Sequence, residues 1–546
     1  MQSSGLKVEQ ISKAVSPGCL AKLSLVDKIP FALIGGLLLG LSAPGFDLWW
    51  LAWLGIAPLL VLIQGARSKV EAALTGLIFG MGYYMVAMGW YLGLYPLSWL
   101  GLGDWLGFQT AVGIWLLASF TQALLFAGFS TFVFALPLRA GYLPFYQRPF
   151  FPYLLSVPIL WLFFHWVLGA SEAFLGAPVC QLAYSQAKEL ELIQMCKWGG
   201  SQMVDFVLIL ANTALASLCI ETFQLVPKLA NRVDRMSPKV GVVVDLTLVA
   251  IVVIALIFWG HTEVERIARL TALPPSSYAR VFIPPVPLAV VQGNISIEDA
   301  RSGCLSPEEI SRRYAGLAHD LGVALLVLPE GAIDSQKTDS GLLSTQLKQI
   351  SAIEKKECIV GCIERLSTGF LNTVRLLAPN DGSENIYIKR RLAPFCEFMP
   401  AGPFLQLIPH SVKRLFMGNA YGFVPSPSVS VLHSIWGKIG ASISIEVVYP
   451  RLIADEVRHG GSLLVNVSNF AWFHNSNLNR QVLAASVMRA VENERYMVLA
   501  TNTGISAVID PSGCVNGDSL PGKKGVLLNT VQFLYKMTPY TRMWWL

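Results

Sequence analysis

The sequence predicts a multi-span α-helical membrane domain joined to a soluble α/β domain. Of its 546 residues, 53% are hydrophobic and only 14% are charged, against roughly 25% charged in ordinary soluble domains. In the first half, the apolar residues gather into runs long enough to cross about 30 Å of hydrocarbon, roughly 20 residues as helix. From about residue 280, short β-type runs alternate with polar helical stretches, the texture of an α/β domain. The net charge of +6 is modest for this length and no local basic patch stands out, so a nucleic-acid partner is not expected. The nine cysteines are scattered without CxxC or zinc spacing, so neither a disulfide framework, a metal site nor a cofactor is indicated.

After an N-terminal segment at 1–28, seven spans are expected near 29–45, 48–65, 72–95, 106–136, 150–169, 204–224 and 241–260. Only the turn Ala43-Pro44-Gly45-Phe46-Asp47 separates the first two. A cleaved signal peptide is a poor account of the first run, because further spans follow closely and no AxA-like site ends it. Lysine and arginine mark the cytoplasmic loops. Lys7, Lys13, Lys22 and Lys28 precede the first span, Arg67 and Lys69 follow the second, Arg139 and Arg148 the fourth, and Lys228, Arg232, Arg235 and Lys239 the sixth. The N-terminus is therefore expected inside and everything beyond Trp259 outside. Inside the spans ionisable groups are few, His165 and Asp205 near span ends among them, which disfavours a transporter.

A proline-containing linker is expected at 261–286, and a soluble domain at 287–546. Strands are expected at 287–292, 323–328, 358–363 and 462–467. Ser306-Pro307-Glu308-Glu309 supplies an N-cap serine, a first-turn proline and a glutamate at N3, so a helix starts there and runs to about Leu321. A second helix is expected at 476–496, where Leu478, Val482, Val487 and Val491 recur at helical spacing.

Two residues have positions suited to chemistry. Glu330 follows the apolar strand 323–329, and a carboxylate at the carboxyl end of a buried strand is partly desolvated and becomes a usable general base. On its own it reads equally as a helix cap or loop residue. Lys389 ends the alternating stretch Asn-Ile-Tyr-Ile-Lys, where it can stabilise an oxyanion or a neighbouring carboxylate, or simply extend its amine to solvent.

Taken together, Leu-Pro-Glu-Gly-Ala at 328–332, the segment 387–398 ending Pro-Phe-Cys-Glu-Phe, Ser-Ile-Glu-Val at 444–447 and Ser-Asn-Phe-Ala-Trp-Phe at 468–473 resemble the nitrilase superfamily in order and spacing. The resemblance implies an αββα sandwich with a Glu base, a Lys and a Cys nucleophile at strand ends. Further matches at 290–295, 500–511 and 176–186 extend it over nearly the whole chain, which is similar to the bacterial apolipoprotein N-acyltransferases. It implies Glu330 as base, Lys389 as oxyanion and charge partner, Glu397 as a second carboxylate behind the lysine, Glu446 beside the nucleophile, and Trp472 and Phe473 around the acyl chain. The implied reaction passes an acyl chain from a phospholipid to the nucleophile, then to the free amine of a diacylglyceryl-modified apolipoprotein. The implied location is the bacterial inner membrane, with the catalytic domain on the periplasmic side of the bilayer.

The chain departs from that pattern in several places. Where the family carries cysteine, Ile443-Ser444-Ile445-Glu446 places a serine. Cys396 stands where the family usually has glycine and Phe470 where it tends to have aspartate; after Thr538-Pro539-Tyr540-Thr541-Arg542, only four residues occupy the place of the family's eighth span. Two other readings stay open: a catalytically inactive relative that binds lipoproteins or partner enzymes, and a membrane-tethered nitrilase-like amidase.

Overall fold

The computed structural model describes residues 23–98, 101–136, 153–170, 178–223, 238–272, 284–302, 304–334, 340–367, 369–379, 385–393, 397–398 and 422–543. A helix occupies each apolar run: α1 (Leu25–Gly40), α2 (Ala57–Gln64), α3 (Lys69–Ala87), α4 (Asp104–Ala135), α5 (Tyr153–Ala170), α6 (Ser201–Phe223) and α7 (Pro238–Ala272). Among the described residues, four of these (α3, α4, α6 and α7) are long and apolar enough to cross a membrane.

The second run is broken rather than continuous. A 3-10 turn, Trp49–Trp53, precedes α2, and buried Asn212 of α6 compensates the interruption. Its Oδ1 accepts the N–H groups of Ile56 and Ala57, both at 2.9 Å, and its Nδ2 donates to the Ala52 carbonyl at 2.9 Å. Helices α1, α3 and α4 approach along small residues. A Cβ at Gly36 would meet the Phe79 carbonyl, and one at Gly76 the Phe126 carbonyl. Such seams let backbones pack closely where lipid provides no hydrophobic drive.

Helix α7 continues past residue 260 to Ala272, through part of the expected linker. Ion pairs hold this extension. Lys197 and Arg266 lie 2.9 and 2.8 Å from Glu263, and Arg266 reaches Glu494 of the soluble domain at 2.7 Å.

The soluble part contains β1 (Val286–Gln292), α8 (Pro307–Ala318), β2 (Leu325–Asp334), α9 (Ser340–Glu354), β3 (Glu357–Leu366), β4 (Gly369–Leu377), β5 (Ile386–Ile388), β6 (Leu432–Ser434), β7 (Gly437–Ile443), α10 (Pro450–Arg458), β8 (Leu463–Ser468), α11 (Leu478–Asn493), β9 (Met497–Thr501), β10 (Ala507–Ile509), β11 (Val515–Asp518) and β12 (Gly525–Val531). The expected capping box starts α8: the Ser306 side chain accepts from the Glu309 N–H while Glu309 accepts from the Ser306 N–H. That helix ends at Ala318, before the left-handed Asp320.

Two six-stranded mixed sheets form, ordered β12-β1-β2-β3-β4-β5 and β11-β10-β9-β8-β7-β6. Their facing surfaces make one core, because alternate residues of a strand point to one side. Leu288, Val290, Leu325 and Val327 of the first sheet join Ile439, Ala441, Val465 and Val498 of the second. The opposite face of the first sheet, with Ala289, Val291, Leu326 and Leu328, packs on Tyr314, Ala318, Leu347 and Ile350 of α8 and α9. On the second sheet, Leu464, Met497 and Leu499 pack with α11, whose Val482, Ala485 and Met488 belong to the same buried cluster as Phe79, Phe126 and Leu208 of the membrane helices. The αββα sandwich thus shares one apolar core with the helical half through α11.

Candidate active site

The strand ends bring a lysine and two carboxylates together. Glu330 lies in β2 just past Leu328, where the pairing with β3 breaks off until Ile333; Lys389 follows β5, and Glu397 lies beyond it in the chain. The Lys389 Nζ donates to Glu397 at 2.9 and 3.0 Å from its two oxygens and stands 3.5 Å from Glu330 Oε1. Lys389 is 1% exposed. The Glu330 Oε2 accepts the backbone N–H of Asn469 at 2.9 Å. Asn469 follows β8, so the first sheet's carboxylate is fastened to the end of the second.

Glu446 is fully buried and collects four donors. Its Oε1 accepts the N–H groups of Arg390 and Arg391 at 2.7 and 2.8 Å; its Oε2 accepts the Tyr387 hydroxyl at 2.9 Å and the Ile443 N–H at 2.7 Å. One carboxylate therefore clamps the residues on both sides of Lys389 to the residue preceding Ser444. Ser444 closes β7 and opens a 3-10 turn, with its backbone at φ +56°. Left-handed backbone is unfavourable for a non-glycine residue and recurs at functional sites, where surrounding contacts hold it. Here Asn466 of β8 donates to the Ser444 carbonyl at 3.2 Å. Such a turn lifts a side chain off the strand end, as at a nucleophile elbow.

The electrostatics suit proton transfer. Burial pushes the Glu330 carboxyl above the ordinary glutamate range, Glu397 adding to the shift while Lys389 and the donors from Asn372 and Asn469 oppose it. For Lys389, burial disfavours the charged form, but Glu397, Glu330 and Glu446 outweigh it and raise its pKa, so it stays an ammonium. Burial raises Glu446 too, against Lys389 and the backbone donors. A base with a raised pKa beside a fixed cation can take a proton from a nucleophile and return it to a leaving group.

Of the aromatic pair, Phe473 stands edge-on to Trp90 of the helical half at 5.1 Å and near Tyr91 at 6.2 Å. Trp472 lies in the same turn and is part-buried. Phe470 is 3% exposed in the shared core. Cys396 lies outside the described residues. Among the described residues, no group of three or more His, Cys, Asp or Glu could hold a metal ion. Sequence reasoning missed Asn372, Tyr387 and Asn469. Asn372 lies in a strand that also carries Thr373 and Arg375, so its polarity alone did not single it out; the contact made by Asn469 uses its backbone, so its side-chain type carries no signal.

The sandwich and its strand-end charges define a nitrilase-type domain set on membrane helices. The carbon-nitrogen hydrolase family matches residues 287–535, and the apolipoprotein N-acyltransferase N-terminal domain matches residues 35–214. The chain is a homologue of bacterial proteins named apolipoprotein N-acyltransferase, and its four long apolar helices fit a membrane protein. The protein so named from Geobacter metallireducens is 29% identical over 502 residues, covering 89% of this chain and 86% of its own. Those from Gloeobacter violaceus and Chromobacterium violaceum are 27% and 28% identical, covering 88% and 94% of this chain and 84% and 89% of theirs. Among solved structures, an amidase from Nesterenkonia sp. aligns with 50% of this chain and all of its own, at 17% identity and a TM-score of 0.36.

Proposed function

We propose that this protein transfers an acyl chain from a phospholipid to the N-terminal amine of a diacylglyceryl-cysteine lipoprotein, through an acyl-enzyme at residue 444. The observation that carries the reading is the buried Glu330–Lys389 pair, 3.5 Å apart at the strand ends of a domain whose core continues into the membrane helices. In the first half-reaction, Glu330 takes the proton of the residue 444 side chain as its heteroatom attacks the ester carbonyl. Lys389 stabilises the oxyanion, and the lysophospholipid alkoxide leaves with the proton from Glu330. In the second, the lipoprotein amine attacks the acyl-enzyme, gives its proton to Glu330, and residue 444 leaves and is reprotonated. Splitting one transfer into two displacements is the advantage of covalent catalysis. Glu397 and Glu446 hold the lysine, and Trp472 and Phe473 border the acyl chain. The loop charges support a cytoplasmic N-terminus in the inner membrane and a periplasmic sandwich.

Serine changes the rate. A thiol near its ordinary pKa of about 8.5 holds a usable thiolate fraction beside a cation, whereas a hydroxyl must lose its proton within the transition state. The resulting oxyester is also a poorer acyl donor to an amine than a thioester. Acyl transfer from phospholipid to a diacylglyceryl-cysteine peptide, in detergent, tests the proposal for this chain and for Ser444→Cys. Little transfer by the first and a rise of orders of magnitude in the second is expected. Absence from both would overturn the proposal in favour of a lipoprotein-binding relative; equal, substantial transfer would overturn the limiting role of the serine.

A further inference from the structure

Asn372 of β4 touches both carboxylates of the site and the backbone of its lysine. Its Nδ2 donates to Glu330 Oε1 and to Glu397 Oε1, each at 2.8 Å, and its carbonyl accepts the Lys389 N–H at 2.9 Å. The same two carboxylate oxygens also face the Lys389 ammonium, at 3.5 and 3.0 Å. Two donors, one charged and one neutral, therefore share two anionic acceptors. Asn372 is 3% exposed, and its Oδ1 is buried without a hydrogen-bond partner. Rotating the amide would satisfy neither carboxylate, because Oδ1 would then face two acceptors. The geometry therefore fixes the N–H side toward the acids.

We infer that Asn372 is a positioning residue for the transfer reaction, a neutral double donor that holds Glu330 and Glu397 in register about Lys389. This rests on reading Glu330 and Lys389 as the reacting pair. One ammonium faces two carboxylates, so an excess negative charge must be accommodated inside the protein. A second cation at position 372 would neutralise it and draw the base down into the ordinary carboxylate range, where proton transfer is weakly driven. A hydrocarbon there would leave the two acids repelling each other. The carboxamide stabilises the ionised pair without adding charge. The charged groups facing Glu330 are Lys389 and Glu397, with Glu446 acting on the lysine.

The test uses the full chain in detergent and follows the infrared C=O band of protonated carboxyl groups against pH, with Glu330→Gln assigning the Glu330 band. Asn372→Leu removes both N–H groups at similar volume, and Asn372→Ser provides a smaller replacement if the leucine variant does not fold. Either should move the Glu330 midpoint upward by about one pH unit, a tenfold change in the protonation equilibrium. In the Ser444→Cys background, kcat for acyl transfer should fall about 10- to 100-fold. KM should stay within about twofold, and the acid limb of the profile should move with the infrared midpoint, a pattern general loosening would not produce. An unmoved midpoint, or a loss expressed in KM alone, would overturn the assignment. The infrared shift needs no turnover: a shifted midpoint in a Ser444→Cys parent without transfer would sink the acyltransferase reading while leaving Asn372 as the residue that holds the acids.

Discussion

Glu330 of the first sheet accepts the backbone N–H of Asn469, the residue just after β8 of the second, at 2.9 Å. The two sheets therefore meet chemically at their strand ends as well as in their core. Asn466, three residues before Asn469, donates to the Ser444 carbonyl, so one strand end steadies both Glu330 and the turn that carries residue 444. The loss of one of these hydrogen bonds would reach both halves of the site.

Replacing Glu330 tests its role as base. Glu330→Gln keeps one acceptor oxygen, for either Asn372 or Asn469, turns an NH2 toward the other donor, and cannot take a proton. In the Ser444→Cys background, acyl transfer should fall about 100- to 10,000-fold, the usual contribution of a positioned base. Since burial raises Glu330, the acid limb of the parent's pH profile should lie above the ordinary glutamate pKa of about 4.3. A limb at or below that value would remove Glu330 from the role.

Much of this site was legible because its charged residues lie in short local patterns. Glu330 directly follows an apolar strand, and Lys389 and Glu397 share one segment. Asn372 was not legible, since its meaning depends on β4 pairing with β5, Thr373 lying opposite Ile388, and on Glu330 arriving from β2. The same reason hid the break in the second apolar run. Its stabilising partner, Asn212, lies on α6, far along the chain. The extension of α7 was obscured because the stretch beyond residue 260 was expected as linker, whereas the partners that hold it, Lys197 and Glu494, lie far from it in the chain.

The close approach of α1 and α3 gives a second prediction. Gly36 packs against the backbone at Phe79, and Gly82 against that at Leu33, so no side chain fits without parting the helices. Gly36→Leu should destabilise the helical half by at least the roughly 1–3 kcal/mol typical of overpacking. Thermal unfolding in detergent should show a lower midpoint for Gly36→Leu, and Gly113→Leu, whose position has open space around it, should leave it near the parent's. Equal midpoints for all three would refute the seam.

Orientation can be read with reporters. Fusion after Leu546 should activate an enzyme that folds only outside the cytoplasm, and fusion ahead of Lys28 one that works only inside. A cytoplasm-only reporter active at the C-terminus would reverse the topology and remove the sandwich from periplasmic substrates.

The last prediction concerns stability at alkaline pH and turns on Glu456 of α10. This residue is fully buried; one oxygen meets Arg390 at 3.3 Å and the other has no hydrogen-bond partner. Burial pushes its carboxyl up to about 9, with Arg390 opposing the shift and Glu446 and Asp455 adding to it. In the unfolded chain the group titrates near 4.3. Between those values the folded protein binds more protons at this site than the unfolded chain does, so its contribution to stability falls as pH rises. That contribution is fully present below the unfolded value and is lost through the window ending near pH 9. Glu456→Gln keeps the shape without the ionisation. Unfolding midpoints of the two proteins, measured in detergent from pH 5 to 10, should converge at the acid end and separate toward the alkaline end, with the glutamine variant the more stable. A constant offset across the range would show that Glu456 titrates alike in both states, and a variant losing ground as pH rises would reverse the sign.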